Sequence, residues 1–92
     1  MLRFYVYILK CSDNSYYIGH TENIDKRISE HNFKKYSSYT STRLPVNLVF
    51  MQEFVSRYEA LSAEKKMKKW TREKKELLIS GGWTALMNRR KK

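Results

Sequence analysis

The stretch from Phe4 to Gly19 constrains the fold most, because it holds two β-strand patterns separated by a single turn. Residues 4–9 are aromatic, β-branched or otherwise apolar without a polar interruption, which is typical of a central strand covered on both faces. Turn-forming residues follow at 12–15, and a second strand pattern resumes at Tyr16. We therefore expect a β-hairpin near the start of the chain.

The length of the hairpin loop decides which strand residues share a face. Tyr7 and Tyr17 lie on the same face only if directly paired residue numbers sum to an even value, which requires a loop of about three or five residues. A loop of about four residues would place the two tyrosines on opposite faces. The register is therefore a testable prediction.

The middle of the chain predicts one helix and one further strand. Asn23 is suited to cap a helix that runs from about Ile24 to Asn32. Residues 33–45 are polar and rich in Ser, Tyr and Lys, which predicts a loop that contacts a ligand. Residues 46–51 predict a third strand, which continues toward Phe54.

The C-terminal part predicts two helices and a basic tail. Ser56 begins a sequence with the spacing of a capping box, so a helix should run from there to about Trp70. Thr71 is suited to cap another helix, which Gly81-Gly82 should close. Residues 88–92 are expected to form a frayed basic tail.

The length and the cysteine content bound the class of protein. A chain of 92 residues makes one small α/β or α+β domain over residues 1–92. Cys11 is the only cysteine, which fits a reducing cytoplasm and excludes an intramolecular disulfide. The apolar run of residues 4–9 is too short for a membrane span and ends without a cleavage site, so we expect neither a span nor a secretion signal.

The basic charge is concentrated in the C-terminal part, since residues 56–92 carry +8 of the formal net charge of +10. A polyanion is the natural partner, and nucleic acid ranks ahead of an anionic membrane surface or ordinary solubilising charge. Four lysines flank the apolar stripe of the helix predicted from Ser56 to about Trp70: Lys65, Lys66, Lys68 and Lys69. They are expected to follow a nucleic-acid backbone, with a solvated helix surface as the alternative. Tyr36 and Tyr39 are candidates for stacking on unpaired bases.

Several polar side chains fall on faces that should be buried. At about 100° per residue, Ile24, Arg27, Ile28 and His31 lie at about 0°, 300°, 40° and 340° on the helix circumference. On the helix predicted from Ser56 to about Trp70, Glu64 falls inside the apolar arc. Each residue alone is an ordinary core or boundary residue, but with the two strand tyrosines they would gather five polar groups on one sheet face. That many polar groups predict a site.

Such a set suits phosphodiester hydrolysis. Arg27 can hold a phosphate by a bidentate pair, and Glu64 can anchor one Mg²⁺, which needs only one or two protein carboxylates. Neutral His31 can accept the proton of a phenol. A tyrosine would then act as the base, attack as a covalent nucleophile or merely position water, and the sequence leaves these three roles open.

The residues that carry this pattern also resemble a known family, the GIY-YIG nuclease domain. The resemblance rests on Tyr5-Val6-Tyr7, Tyr17-Ile18-Gly19-His20-Thr21, Arg27-Ile28-Ser29-Glu30-His31 and Glu64, and it covers roughly residues 4–79. Residues 44–49 and 64–70 are similar to the branch of small stand-alone members. The resemblance implies an α+β fold in the order β-β-α-β-α-α, a three-stranded antiparallel sheet flanked by helices, and hydrolysis through one divalent ion, Mg²⁺ or Mn²⁺.

The resemblance also implies a role for each motif residue. Tyr7 and Tyr17 correspond to the motif tyrosines, one of which is the base or positions water. Arg27 corresponds to the phosphate-stabilising arginine, His31 to a residue that assists proton transfer, and Glu64 to the metal ligand. Gly19 is the motif glycine, which we group with the expected nucleic-acid contacts because its backbone needs close approach or unusual dihedrals.

The resulting hypothesis is a metal-dependent endonuclease that acts on DNA, with RNA as the alternative substrate. Unpaired or branched DNA fits better than a long specific sequence, because a domain of 92 residues has little surface for reading many bases. Two alternatives remain: a nucleic-acid-binding module without turnover, and a nuclease subunit that requires a protein partner. The sequence does not determine the oligomeric state.

Overall fold

A computed structural model describes residues 3–33 and 39–89, which form a three-stranded antiparallel sheet with helices on both faces. The elements are β1 Phe4–Lys10, β2 Tyr16–Thr21, α1 Ile24–Asn32, a 3₁₀ helix Tyr39–Thr42, β3 Asn47–Phe54, α2 Arg57–Lys68 and α3 Arg72–Arg89. The order β-β-α-β-α-α and the α+β class are as the sequence predicts. The 3₁₀ helix is an addition inside the predicted loop.

The hairpin has the odd loop that places both tyrosines on one face. Lys10 pairs with Tyr16, so residues 11–15 form the loop, and Tyr7 pairs with Gly19. Within the loop, Asn14 adopts a φ of 68°, a left-handed conformation that asparagine tolerates well. Because paired residue numbers sum to an even value, the condition for Tyr7 and Tyr17 to share a face is met.

The sheet divides the core into two layers. The strand order is β2-β1-β3, so β1 is central, and four of its residues, 6–9, have no exposed surface. Successive side chains of β1 point to opposite faces. On one face Val6 and Ile8 pack with buried residues of α2 and α3, and on the other Tyr7 and Leu9 pack with Ile24 and Ile28 of α1. The two helices that carry the predicted site residues, α1 and α2, therefore cover opposite faces.

Side-chain caps fix where the helices begin. The Asn23 side chain accepts a hydrogen bond from the backbone of Lys26 at 3.0 Å, and Ser56 accepts one from Glu59 at 3.1 Å, as the cap predictions require. Helix α2 ends at Lys68, slightly before the predicted Trp70. The difference arises because the last amides turn back to carbonyls three residues earlier, as in Trp70 N to Met67 O at 3.1 Å.

Helix α3 continues past the predicted stop. Gly82 has a φ of 69° and a ψ of −164°, so helical geometry breaks where the glycine pair predicts, but the chain then resumes a helix to Arg89. No helix in the described part of the chain combines the length and the apolar character that crossing a bilayer requires.

Candidate active site

A buried tyrosine–histidine pair lies between β1 and α1. Tyr7 has no exposed surface, and its Oη is 3.1 Å from Nε2 of His31, which is 3% exposed. The Tyr17 ring is partly buried, with its centroid 6.4 Å from that of Tyr7 and 5.2 Å from that of His31. The structure therefore brings three of the predicted site side chains together.

Gly19 lies directly opposite Tyr7 in the sheet, and the tyrosine ring covers it. A Cβ added to Gly19 would lie 2.5 Å from Tyr7 Oη and 2.7 Å from its Cζ, which is closer than real contacts allow. Among the described residues, Gly82 is the glycine with a positive φ, so close approach rather than unusual dihedrals accounts for Gly19. Its expected contact with nucleic acid stays a prediction.

The Gly19→Ala variant should be less stable by about 1–3 kcal/mol, because the new methyl group must displace the buried Tyr7 ring. Urea denaturation followed by circular dichroism measures the change in the free energy of unfolding. Gly81→Ala is the matched control, since Gly81 is an exposed helical residue where alanine should be neutral or stabilising. Equal urea midpoints for wild type and Gly19→Ala would contradict the packing of Tyr7 on this glycine.

Arg27 lies beside the Tyr7 hydroxyl and reaches toward solvent. Its positive charge acts on the Tyr7 hydroxyl. Its side chain is 34% exposed, and its Nε is 3.5 Å from Oε1 of Glu30, which precedes His31 on α1. Arg27 also lines an open pocket of about 350 Å³, whose other charged lining residues are Glu22, Lys26, Glu30 and Arg57. The guanidinium therefore lies between a buried phenol and an open pocket of mixed charge.

Burial sets the protonation states of the pair. The pKa of Tyr7 is raised above its ordinary value, first by burial and then by neighbouring Tyr17, and Arg27 offsets part of this rise. The pKa of His31 is lowered, first by burial and then by the positive charge of Arg27, while Glu30 acts in the opposite direction. At neutral pH the structure therefore holds a neutral phenol against a neutral imidazole.

Glu64 approaches from the other face of the sheet, and this corrects the expectation that one face would gather all five polar groups. It lies on the inner side of α2, 9% exposed, and α2 packs on the face of Val6 and Ile8. Its negative charge nevertheless acts on Tyr7 and raises that pKa slightly. The two halves of the site therefore lie on either side of the edge strand β2.

Both oxygens of the Glu64 carboxylate have partners within the protein. Oε1 contacts Nδ1 of His20, and Oε2 is 2.8 Å from Nζ of Lys68. The hydrogen bond with Glu64 is the main reason that the pKa of Lys68 is raised. His20 reaches this carboxylate because it follows Gly19 in β2 and so points to the opposite face.

Two residues of the site were missed by the sequence-based reasoning, His20 and Thr40. For His20 the available signal was the alternation of side chains along β2, which places His20 and Tyr17 on different faces of the sheet. Thr40 has no exposed surface, and its Oγ1 is 2.7 Å from Nδ1 of His31. It lies in the 3₁₀ helix inside the predicted loop, where no hydrophobic period marks a buried position.

The donor set around Glu64 fits a hard cation that needs few protein ligands. Within residues 3–33 and 39–89, no cluster of three or more His, Cys, Asp or Glu side chains is placed to hold a metal ion. Mg²⁺ keeps most of its waters and often takes only one or two carboxylates from the protein, so Glu64 alone suits it. A metal ion that prefers several thiolate or imidazole ligands would require side chains that these residues do not supply.

The predicted nucleic-acid contacts are exposed where the structure describes them. Lys65, Lys66, Lys68 and Lys69 are all exposed and flank the buried residues of α2. Tyr36 lies outside the described residues, as does the side chain of Tyr39, so stacking by either stays a prediction. Of the predicted tail, residues 88–89 belong to α3 and residues 90–92 lie outside the described part.

Comparison with known proteins gives one family. Residues 3–76 match the family described as the GIY-YIG catalytic domain. The UPF0213 protein YazA of Bacillus subtilis is 47% identical over 75 residues, which cover 82% of this chain and 76% of that protein. A UPF0213 protein of Haloquadratum walsbyi is 46% identical over 78 residues, which cover 85% of this chain and 88% of that protein.

Two solved structures share the fold. The solution structure of a UPF0213 protein from Bacillus halodurans has 39% sequence identity and a TM-score of 0.57, with 96% of each chain covered. The solution structure of a protein from E. faecalis has 32% identity and a TM-score of 0.60, and the match covers all of this chain and 91% of that one. The two solved structures thus share both sequence and architecture with this chain.

Proposed function

Because this chain belongs to the GIY-YIG catalytic-domain family, we propose that it is a divalent-metal-dependent endonuclease that hydrolyses phosphodiester bonds in DNA. The observation that supports this most strongly is the grouping of Arg27, Tyr7 and His31 on one side of β2, with Glu64 on the other. A cation, a proton-transfer pair and a carboxylate are the groups that phosphodiester hydrolysis needs.

Arg27 is the proposed phosphate-binding residue. Its guanidinium lines the open pocket of about 350 Å³ and can form two parallel hydrogen bonds with phosphate oxygens. Negative charge grows on these oxygens during hydrolysis, so a fixed cation stabilises the transition state more than the ground state. Glu30 holds the guanidinium from the same helix and limits the positions it can take.

Tyr7 and His31 form the proposed proton-transfer pair. His31 is neutral, and its Nε2 lies 3.1 Å from the phenol oxygen, within hydrogen-bond reach. Transfer of the Tyr7 proton to His31 would leave a phenolate oxygen beside Arg27, where it can accept a proton from the attacking water. Tyr17, which packs against both rings, would position that water or the substrate.

Glu64 is the proposed ligand of one Mg²⁺ or Mn²⁺ ion, which when bound would stabilise the charge on the phosphate and on the leaving oxygen. His20 holds the same carboxylate through Oε1. Contacts of this kind orient metal ligands in many proteins. Lys68 pairs with the other oxygen, Oε2, and its ammonium group would have to move away for an ion to bind that oxygen directly.

The proposed substrate is DNA with unpaired or branched segments. Three of the exposed lysines, Lys65, Lys66 and Lys68, lie on the helix that carries Glu64, and Lys69 caps its C-terminal end, so a backbone that they bind would pass close to the carboxylate. The net charge of +10 favours association with any nucleic acid. A small domain buries too little surface to read a long sequence, which favours recognition of shape.

The decisive experiment incubates the purified chain with end-labelled single-stranded, duplex, flap and branched DNA of matched sequence, and with the corresponding RNA. With Mg²⁺ we expect internal cleavage of DNA that is fastest on flap or branched forms and is abolished by EDTA. Folding is checked by circular dichroism on the same sample. A folded protein that cuts none of these substrates would exclude an endonuclease that works alone.

A further inference from the structure

Three side chains, Tyr7, His31 and Thr40, form a continuous hydrogen-bonded series that ends inside the fold. Tyr7 Oη is 3.1 Å from His31 Nε2, and His31 Nδ1 is 2.7 Å from Thr40 Oγ1. The positive charge of Arg27, which lines the open pocket, acts on the Tyr7 phenol. Tyr7 and Thr40 are fully buried, and His31 is 3% exposed. Both ring nitrogens of the imidazole therefore have a defined partner, and bulk water competes little for either.

The charge of Arg27 gives the series a direction. The cation beside the phenol favours the orientation in which the Tyr7 oxygen faces the guanidinium and its hydrogen is directed to His31 Nε2. His31 is neutral because burial disfavours its charged form, so it carries a single N–H. When Nε2 accepts, that hydrogen must lie on Nδ1, where Thr40 Oγ1 is the partner.

We propose that Thr40 is a positioning residue, whose hydroxyl accepts the Nδ1 hydrogen of His31 and holds the ring in the tautomer whose Nε2 is free to take the Tyr7 proton. In the other tautomer Nε2 would donate to the phenol oxygen and could accept nothing. The part played in proton transfer rests on the proposed nuclease function. The tautomer itself does not, and it is measured without substrate.

A matched pair of substitutions isolates the hydroxyl. Thr40→Val keeps the branched shape and nearly the volume but removes the oxygen, whereas Thr40→Ser keeps the oxygen and removes a methyl group. If Thr40 mattered only for packing, serine would be the more damaging change. If the hydroxyl sets the tautomer, valine is the damaging one, and serine restores the wild-type behaviour.

The direct readout is the protonation of the two ring nitrogens, measured by long-range ¹⁵N–¹H correlation NMR on the full chain without metal or DNA. We expect wild type and Thr40→Ser to show His31 protonated on Nδ1, and Thr40→Val to shift toward the Nε2-protonated form. His20, the only other histidine, is the internal reference and should not change. Protonation of His31 on Nε2 in the wild type, or an unchanged tautomer in Thr40→Val, overturns the proposal.

The second readout is catalysis, assayed with flap DNA and Mg²⁺ over pH 6 to 9. Thr40→Val should lower kcat by about 10- to 100-fold with little change in KM, and Thr40→Ser should stay within about 3-fold of wild type. Equal kcat values for valine and wild type would overturn the positioning role. A wild type that has the expected tautomer but cuts nothing would instead exclude the nuclease function. The effect of Thr40 on the tautomer of His31 would not be contradicted by that result.

Discussion

Glu64→Gln is expected to lower the cleavage rate by about 10²- to 10³-fold or more at saturating DNA, the largest loss that one substitution should cause. Gln has nearly the same shape but no charge, so it cannot hold a Mg²⁺ ion through a carboxylate. It also loses the ion pair with Lys68. Binding of Mn²⁺, measured by isothermal titration calorimetry, should weaken in parallel, which separates a metal-binding role from a merely structural one.

Glu59→Gln is the matched control for this variant. Glu59 lies on the same helix, five residues before Glu64, and is exposed, so the substitution removes the same charge from the surface and leaves the buried carboxylate in place. We expect its cleavage rate and metal affinity to remain within about 3-fold of wild type, since isolated surface charges contribute little. If both glutamine variants cut DNA at the wild-type rate while folded, Glu64 is not the metal ligand.

Arg27→Ala is expected to lower kcat by about 10²- to 10³-fold, because it removes the cation that is proposed to bind the reacting phosphate. It also removes the group that offsets the raised pKa of Tyr7, so the phenol should become harder to deprotonate. Arg27→Lys keeps the charge but not the planar fork, and should still lose about 10-fold or more. Single-turnover kinetics with saturating enzyme separate this loss from any change in DNA affinity.

Arg72→Ala controls for the general loss of a positive charge. Arg72 also pairs with a glutamate of its own helix, with Nε 3.1 Å from Glu76 Oε2, but it lies on α3 and does not line the pocket of Arg27. It should change DNA affinity slightly, in a salt-dependent way, and leave kcat unchanged. A similar fall in kcat for both alanine variants would mean that Arg27 acts only through the net charge of the protein.

The parts of the fold that the sequence predicted are those that depend on local geometry. The turn residues at 12–15 located the hairpin, and the alternation of strand faces gave the condition that its odd loop meets. The caps at Asn23 and Ser56 follow from side chains that satisfy amides only three residues away. The inward position of Glu64 followed from its angle on the helix, since the neighbouring turns supply the rest of the apolar stripe.

Relations between distant elements were predicted less well. A helical wheel shows that Glu64 faces the core, but not which face of the sheet its helix covers. The pairing of Glu64 with His20 joins residues on two elements far apart in the sequence, and no local period reports it. Thr40 is similar, because a threonine in a polar loop is a frequent and usually exposed residue.

The sequence by itself determined the order of the strands and main helices, the position of the hairpin, the basic character of the C-terminal part and the family resemblance, because propensity, spacing and charge are properties of short stretches. Only the tertiary structure decided that α1 and α2 cover opposite faces, so that Tyr7 and Glu64 flank the edge strand β2 instead of sharing one face. It also decided that His31 lies between Tyr7 and Thr40. The physical reason is that side-chain burial fixes these contacts only once the helices pack on the sheet, which no local pattern encodes.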